Sequence, residues 1–345
     1  MPRTSLTRRS LLQAGLASPF VLRTAGSSAA APVDIKFSFS APYDGSNAAF
    51  FMADQNGWYK EAGLNCQFDP SGGAGEVATR VGSGVYDLGI ADINVVAEFN
   101  AKNPDAKVRE VYMLYYRSPL CAIASAKSGI TKPAELAGRK IGAAVTDGAY
   151  RLFPAYCKAA GIDASAVKWD MVGLQLREAV LARGDVEAIL GFDSTMYFGL
   201  RKAGLKLEDL RFLYYSDAGM DLYSNGIVVS NKMRTGNPEA VKRFVEVTAR
   251  AWQAAIADPK AAIAALIKAA PLLNADLEEE KLRWLIKNQL VTDESRADGS
   301  GGVKTDRLVR GLESISATLG FPAPKPDEIF DASFMPPAGV RKIPL

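Results

Sequence analysis

The chain has 345 residues, 48% of them hydrophobic, and a formal net charge of +3 from 41 basic and 38 acidic side chains, with no histidine. That length and apolar content can bury a large core and usually divide into two domains. The missing histidine removes Ser/His/Asp and Cys/His triads, histidine metal sites and the usual near-neutral proton shuttle, and most hydrolase chemistry goes with them.

At the start, TRRSLLQ (Thr7 to Gln13) is followed by the apolar segment Leu11 to Leu22 and the small residues Ser28, Ala29 and Ala30. Paired Arg8 and Arg9 in that setting read as a twin-arginine export signal over residues 1–30, cut after Ala30. The apolar stretch contains Gly15 and Pro19 and falls short of the ~20 residues that cross a bilayer, so a cleaved signal is expected rather than an anchor. The first cysteine is Cys66, so none follows the cut to accept lipid. A soluble protein of the periplasm is the expectation. Arg3, Arg8, Arg9 and Arg23 are the only charged residues of the signal, which leaves 37 basic against 38 acidic groups beyond it. No run of lysine or arginine remains as a footprint for nucleic acid.

From Val33 short β-rich runs alternate with amphipathic stretches, the signature of βαβ units and a mainly parallel sheet. VDIKFSFS (Val33 to Ser40) alternates at period two, and Gly45 to Tyr59 reads as a helix capped by Ser46 or Asn47 and ended by Gly57. A strand at Leu64 to Asp69, a helix at Ala74 to Gly84 and a strand at Tyr86 to Asp92 follow, then strands at Val108 to Arg117 and Leu120 to Ala126. A second series runs from Thr131 to Val145, through a helix near Ala149 to Ala160, a strand at Val167 to Val172 and a helix at Leu174 to Gly184. It ends with a strand at Ala188 to Asp193, a helix at Ser194 to Ala203 and a strand at Arg211 to Asp217. Tyr223 to Lys232 reads as the strand that crosses back. Beyond it the chain turns helical, with Asn237 as cap, Pro238 at the first helical position and Val241, Phe244, Val245, Trp252 and Ile256 at helical spacing. These helices are expected to clad the first lobe. RADGSGG (Arg296 to Gly302) reads as a flexible polar loop and Phe321 to Leu345 as an extended proline-rich tail. The expected divisions are 31–120 for the first lobe, 121–220 for the second and 221–345 for the return.

No G-x-S-x-G, no phosphate-binding G-x-x-x-x-G-K-[ST] and no G-x-G-x-x-G opening a helix after a strand is present. Cys66, Cys121 and Cys157 are far apart and lack C-x-x-C spacing, so buried free thiols are expected rather than a metal cluster.

At Phe50 to Asp92 the chain resembles the periplasmic solute-binding proteins of ABC importers for nitrate, sulfonates, taurine and thiamine pyrimidines. Gly57-Trp58-Tyr59-Lys60-Glu61 with Gly63-Leu64, the pair Gly72-Gly73, and Gly84 with Asp87-Leu88-Gly89-Ile90 follow that family's pattern. The segments Ser128 to Val145, Ala179 to Leu190 and IFDASFMPPA (Ile329 to Ala338) extend the likeness over nearly all of the chain beyond the signal. The resemblance implies an α/β, two-lobed periplasmic binding protein of type II, with parallel-rich sheets flanked by helices and a hinge between lobes. It also implies a small-molecule solute, an ABC permease in the inner membrane as partner, and no enzymatic activity. The family further resembles a eukaryotic pyrimidine synthase that consumes its own active-site histidine; a chain without histidine cannot run that reaction. A monomer without cofactor or metal is expected.

In an open α/β lobe ligands sit beyond the carboxyl ends of the strands, where helix N-termini present unpaired N–H groups. That places Tyr43, Asp44, Ser46 and Asn47 after the first strand, Gly72 and Gly73 after the second, Asp92 after the third, and Arg117 at the hinge. From the second lobe Thr146 and Asp147, Gln175, and Phe192 and Asp193 hold the equivalent places, with Tyr223 and Asn225 at the return crossing. Plainer readings stand beside these: Asp44-Gly45 as a turn with Ser46 its cap, the glycine pair as a tight turn, Asp92 and Asp193 as helix caps, Arg117 as an ion-pair partner and Tyr223 as strand packing. Four carboxylates, Asp44, Asp92, Asp147 and Asp193, against one arginine disfavour an anionic ligand, because desolvating like charges together is costly. Tyr43, Phe50, Phe192 and Tyr223 can stack on a flat ring. The tally leans to a nitrogenous heteroaromatic such as a thiamine-pyrimidine precursor, with a sulfonate, taurine or nitrate as the alternative. Rival readings are an exported enzyme using a carboxylate pair and a sensor module that hands its closed state to a signalling partner.

Overall fold

Residues 31–344 are described by the computed structural model, so the export signal read at 1–30 lies outside the described residues. The period-two run Val33–Ser38 forms β1, with Ile35 and Phe37 turned into the core, in parallel register with β2 (Leu64–Asp69). Between them the expected single helix is broken: a tight turn at Gly45–Asn47 leads into α1 (Ala48–Gln55), and Gly57 leaves the helical conformation at φ +74°. Asp44 caps that turn, accepting from Ser46 N at 2.8 Å, where Ser46 or Asn47 was expected to cap. The lobe continues with α2 (Ala74–Gly82), β3 (Leu88–Asp92), α3 (Ile93–Lys102) and β4 (Val108–Met113). After a crossing come β5 (Leu120–Ser125), β6 (Lys140–Ala143), α4 (Gly148–Ala160), β7 (Lys168–Met171), α5 (Arg177–Arg183), β8 (Ala188–Phe192), α6 (Asp193–Lys202) and β9 (Leu210–Tyr214). The chain then returns as β10 (Asn225–Ser230) and ends in helices, chiefly α7 (Pro238–Ala257), α8 (Pro259–Ala269), α9 (Ala275–Leu285) and α10 (Thr305–Leu319).

The two sheets have one topology, β2-β1-β3-β10-β4 and β7-β6-β8-β5-β9. The first three strands of each are parallel, as the βαβ pattern predicts. The fourth, β10 or β5, runs antiparallel to both neighbours because it arrives from the other lobe. This is the fold of periplasmic binding proteins, with the two crossings as its hinge.

Of the terminal helices, α7 and α8 cover α1, burying Val241, Phe244 and Trp252 in a cluster with Phe37, Phe39 and Phe50. Helix α9 reaches the second lobe, where Trp284 lies against Tyr197, Phe198 and Phe212. It runs directly into a π-helical turn, Ile286–Leu290, closed by Val291 N donating to Ile286 O at 2.9 Å. Arg307 on α10 donates to Tyr116 O at 2.8 Å and to Leu222 O at 3.4 Å, one carbonyl from each crossing.

Two further segments differ from the sequence reading. The RADGSGG loop is pinned: Met113 N donates to Gly301 O at 2.8 Å, Tyr112 Oη and Ser300 Oγ share a 2.6 Å hydrogen bond, and the Tyr112 ring occupies the space a Cβ on Gly301 would need. The tail forms short helices at Pro326–Ile329 and Ala338–Arg341 and buries Ile329, Phe330 and Phe334. All three cysteines are free thiols.

Candidate functional site

A cleft lies between the carboxyl ends of the two sheets. Ser40, Ala41 and Ser46 after β1 and Gly73 and Ala74 after β2 form one wall; Asp147, Gly148, Leu174, Arg177, Phe192, Ser194 and Thr195 form the other. Tyr115 and Asn225, from the two crossings, form its floor. The remaining volume is about 50 Å³, so the lobes are closed on one another.

Five of the fifteen residues predicted from the sequence meet here: Ser46, Gly73, Asp147, Phe192 and Asn225. Gly72 and Thr146 meet at the rim, where the Thr146 hydroxyl donates to Gly72 O. The others are engaged elsewhere. Tyr43 donates to Phe68 O at 2.5 Å and packs edge-on to Phe39 and Phe51. Asp44 is buried in an ion pair with Lys281 of α9, and Asn47 Oδ1 accepts from Asp44 N at 3.2 Å. Asp92 caps α3, accepting from Asn94 N at 2.9 Å and Ser224 Oγ at 2.6 Å. Asp193 opens α6 beside the cleft but turns its carboxylate away, to Trp284 Nε1 at 3.0 Å, Tyr214 Oη at 3.1 Å and Gln289 Nε2 at 3.0 Å. Arg117 and Gln175 are exposed outside the lining. The Tyr223 hydroxyl accepts from Lys304 N at 2.8 Å and bonds Glu294, with the Arg307 guanidinium over its ring.

The structure therefore corrects the charge tally. Only one of the four carboxylates, Asp147, lines the cleft, and an arginine not predicted stands against it. Arg177 is 1% exposed, donates to Asp147 at 2.8 Å, to Glu178 at 2.6 Å and to Leu190 O at 3.0 Å, and lies across Gly191, where any Cβ would collide with it. Burial raises the Asp147 pKa despite that arginine, and burial likewise raises Asp92 and Asp193. At Asp44 burial acts in the same direction, but the Lys281 ammonium outweighs it and holds the carboxyl below its ordinary value. On the cleft floor Tyr115 and Phe192 stand with ring centres 6.2 Å apart. Asn225 is 3% exposed, and its Oδ1 has no hydrogen-bond partner.

Tyr115 and Arg177 are the chief residues sequence reasoning missed. Tyr115 was counted into a long strand, although β4 ends at Met113 and the residue turns into the crossing. Arg177, next to Glu178 at the start of a helix, has the appearance of a solvated ion pair. Its position six residues past the end of β7 was the available signal, since that is the region where the other cleft residues were sought. Among the described residues no cluster of three or more His, Cys, Asp or Glu side chains could hold a metal. No helix among them is long and apolar enough to cross a membrane.

Comparison with known proteins agrees with this architecture. The alkanesulfonate-binding protein SsuA from Xanthomonas axonopodis pv. citri, bound to MOPS, superposes with a TM-score of 0.67 at 14% identity over 88% of this chain and 98% of its own. The periplasmic nitrate-binding protein NrtA from Synechocystis PCC 6803 gives 0.63 at 10% identity over 88% and 87%. At such identities the likeness shows the fold alone. By sequence, the riboflavin-binding protein RibY of Chloroflexus aurantiacus is 24% identical over 284 residues, 79% of each chain. A 4-amino-5-hydroxymethyl-2-methylpyrimidine phosphate synthase of Aspergillus parasiticus is 24% identical over 254 residues, 70% of this chain and 71% of its own. A family model described as NMT1/THI5 like matches residues 45–262, a span that runs from the tight turn before α1 through both lobes into α8. The chain belongs to the NMT1/THI5-like family.

Proposed function

We propose that the protein is the exported solute-binding component of an ABC importer and closes its two lobes on a small, flat solute that carries N–H donors. The observation that carries this reading is the Asn225 Oδ1: a buried acceptor without a partner, at the floor of the cleft beside two aromatic rings. Leaving such a group unpaired costs about 1–3 kcal/mol, and an N–H from a bound ring satisfies it. Tyr115 and Phe192 supply apolar surface for the ring, while Ser46, Ser194 and Asp147 offer further polar contacts. Substrate recognition without covalent chemistry fits a histidine-free chain. Riboflavin- and pyrimidine-handling relatives, distant as they are, are in keeping with such a ring.

A second reading has its own support. The N-termini of α2, α4 and α6 all open onto the cleft, through Ala74, Gly148 and Ser194, with the Arg177 guanidinium between the last two. That arrangement favours an anion such as a sulfonate or nitrate. A thermal-shift titration with aminopyrimidines, flavins, alkyl sulfonates and nitrate separates the two. A ligand at about a hundred times its dissociation constant adds about 2.7 kcal/mol and raises the melting temperature by several degrees. Stabilisation by a ring compound that is lost in Asn225→Leu supports the first reading; stabilisation by sulfonate or nitrate alone overturns it in favour of the second.

A further inference from the structure

The glycine pair after β2 does more than line the cleft; it receives the other lobe. Gly73 stands at φ +133°, and a Cβ there would lie 2.5 Å from the carbonyl oxygen of Thr146. That same carbonyl accepts from Gly75 N at 3.3 Å, while the Thr146 hydroxyl donates to Gly72 O. Gly75 is the second residue of α2, and its residue at the N-cap position, Gly73, has no side chain to bond the free N–H groups of the first turn. We infer that α2 is capped in trans: the Thr146 carbonyl of the second lobe replaces the missing cap of the first, and this contact latches the closed cleft.

The receiving loop is held ready within its own lobe. Gly72 N donates to Glu76 Oε2 at 2.8 Å, Glu76 pairs with Arg80 at 2.5 Å, and Arg80 donates to Pro70 O at 2.9 Å. The loop therefore needs little rearrangement to dock. When the lobes part, Gly75 N–H loses its acceptor. An anion drawn to the N-terminus of α2 competes with Thr146 for the same N–H, so the latch and an anionic ligand at that position exclude each other. The latch rests on the two-lobed fold; it stands with a ring compound, and with an anion held at α4, α6 and Arg177 rather than at α2.

Amide hydrogen exchange at Gly75 and small-angle scattering of the protein test it. Gly73→Ala blocks the approach of the Thr146 carbonyl, and an increase in radius of gyration with at least tenfold faster exchange at Gly75 is expected. Because that substitution also strains the loop, the second lobe is varied alone: Thr146→Val removes the hydroxyl bond to Gly72 O that seats the carbonyl against Gly75 and is expected to speed Gly75 exchange several-fold, and Thr146→Ser to restore it. Unchanged exchange at Gly75 in Thr146→Val, or unchanged scattering in Gly73→Ala, overturns the latch.

Discussion

The two lobes share a strand order, so their acids can be compared slot by slot, and they are neutralised in different ways. Asp44 follows β1 and Asp147 follows β6; both cap the next turn and both are buried. Asp147 finds its cation within its own lobe, on α5, thirty residues away. Asp44 depends on Lys281, 237 residues further along the chain. Asp92 and Asp193, at the ends of β3 and β8, repeat the contrast in neutral donors. Asp92 is satisfied by Asn94 and by Ser224 on the adjoining crossing, and Asp193 draws on Trp284 and Gln289 from the terminal helices. Repeated topology fixes where a carboxylate sits, while the later helices decide which of them become ties between distant parts of the molecule.

The contrast breaks most visibly at the Asp44 pair. Lys281→Ala strands a buried carboxylate and is expected to cost about 3–5 kcal/mol, read as a lowered urea midpoint. Replacing both partners, Asp44→Asn with Lys281→Met, should recover most of that loss; if the double variant is as unstable as the single, the pair is not the cause. Next in size, Trp284→Ala removes a half-buried indole from Tyr197, Phe198 and Phe212 and a donor from Asp193, at an expected cost of about 2 kcal/mol.

At pH 7 Asp44→Asn should destabilise more than Asp147→Asn. The first leaves Lys281 without a carboxylate, whereas the second leaves Arg177 still paired with Glu178. The pKa directions agree: the depressed Asp44 contributes stability that is lost as pH falls through its folded-state value, and the raised Asp147 contributes in the opposite sense. Equal midpoints for the two variants would erase the distinction between the lobes.

The smallest expected effect concerns Glu110 on β4. Both its carboxylate oxygens are buried without partners, packed over Gly226, and burial with Asp92 nearby lifts its pKa well above the ordinary 4.5. A group that holds its proton more tightly when folded stabilises at low pH, and that contribution disappears as pH rises from about 4.5 through the raised value. Glu110→Gln should match the parent at pH 4 and exceed it at pH 8 in denaturation midpoint. A difference that does not change with pH would show that Glu110 titrates alike in both states.

Strand and helix order was legible because period-two runs, glycine stops and the Asn237-Pro238 start are local signals that tertiary packing did not override. Ser46, Gly73, Asp147, Phe192 and Asn225 were legible for a related reason: strand ends in such a lobe point at one place. The pairing of Asp44 was not, since nothing near it in sequence announces Lys281. Gly299 and Gly301 looked like markers of a loose loop, but the absence of a side chain at Gly301 is what lets the Tyr112 ring pack against it.

The π-helical turn carries one further consequence. By accommodating an extra residue, it lets Gln289 accept from Tyr116 N at 2.9 Å through its carbonyl while its amide reaches Asp193. Removing one residue from Ile286–Leu290 would restore ordinary helical winding and rotate everything beyond it by about 100°, carrying both contacts away together. Among natural variants, then, this stretch should tolerate changes of residue more readily than changes of length, and an alignment gap falling inside it would mark a lineage whose hinge is built differently.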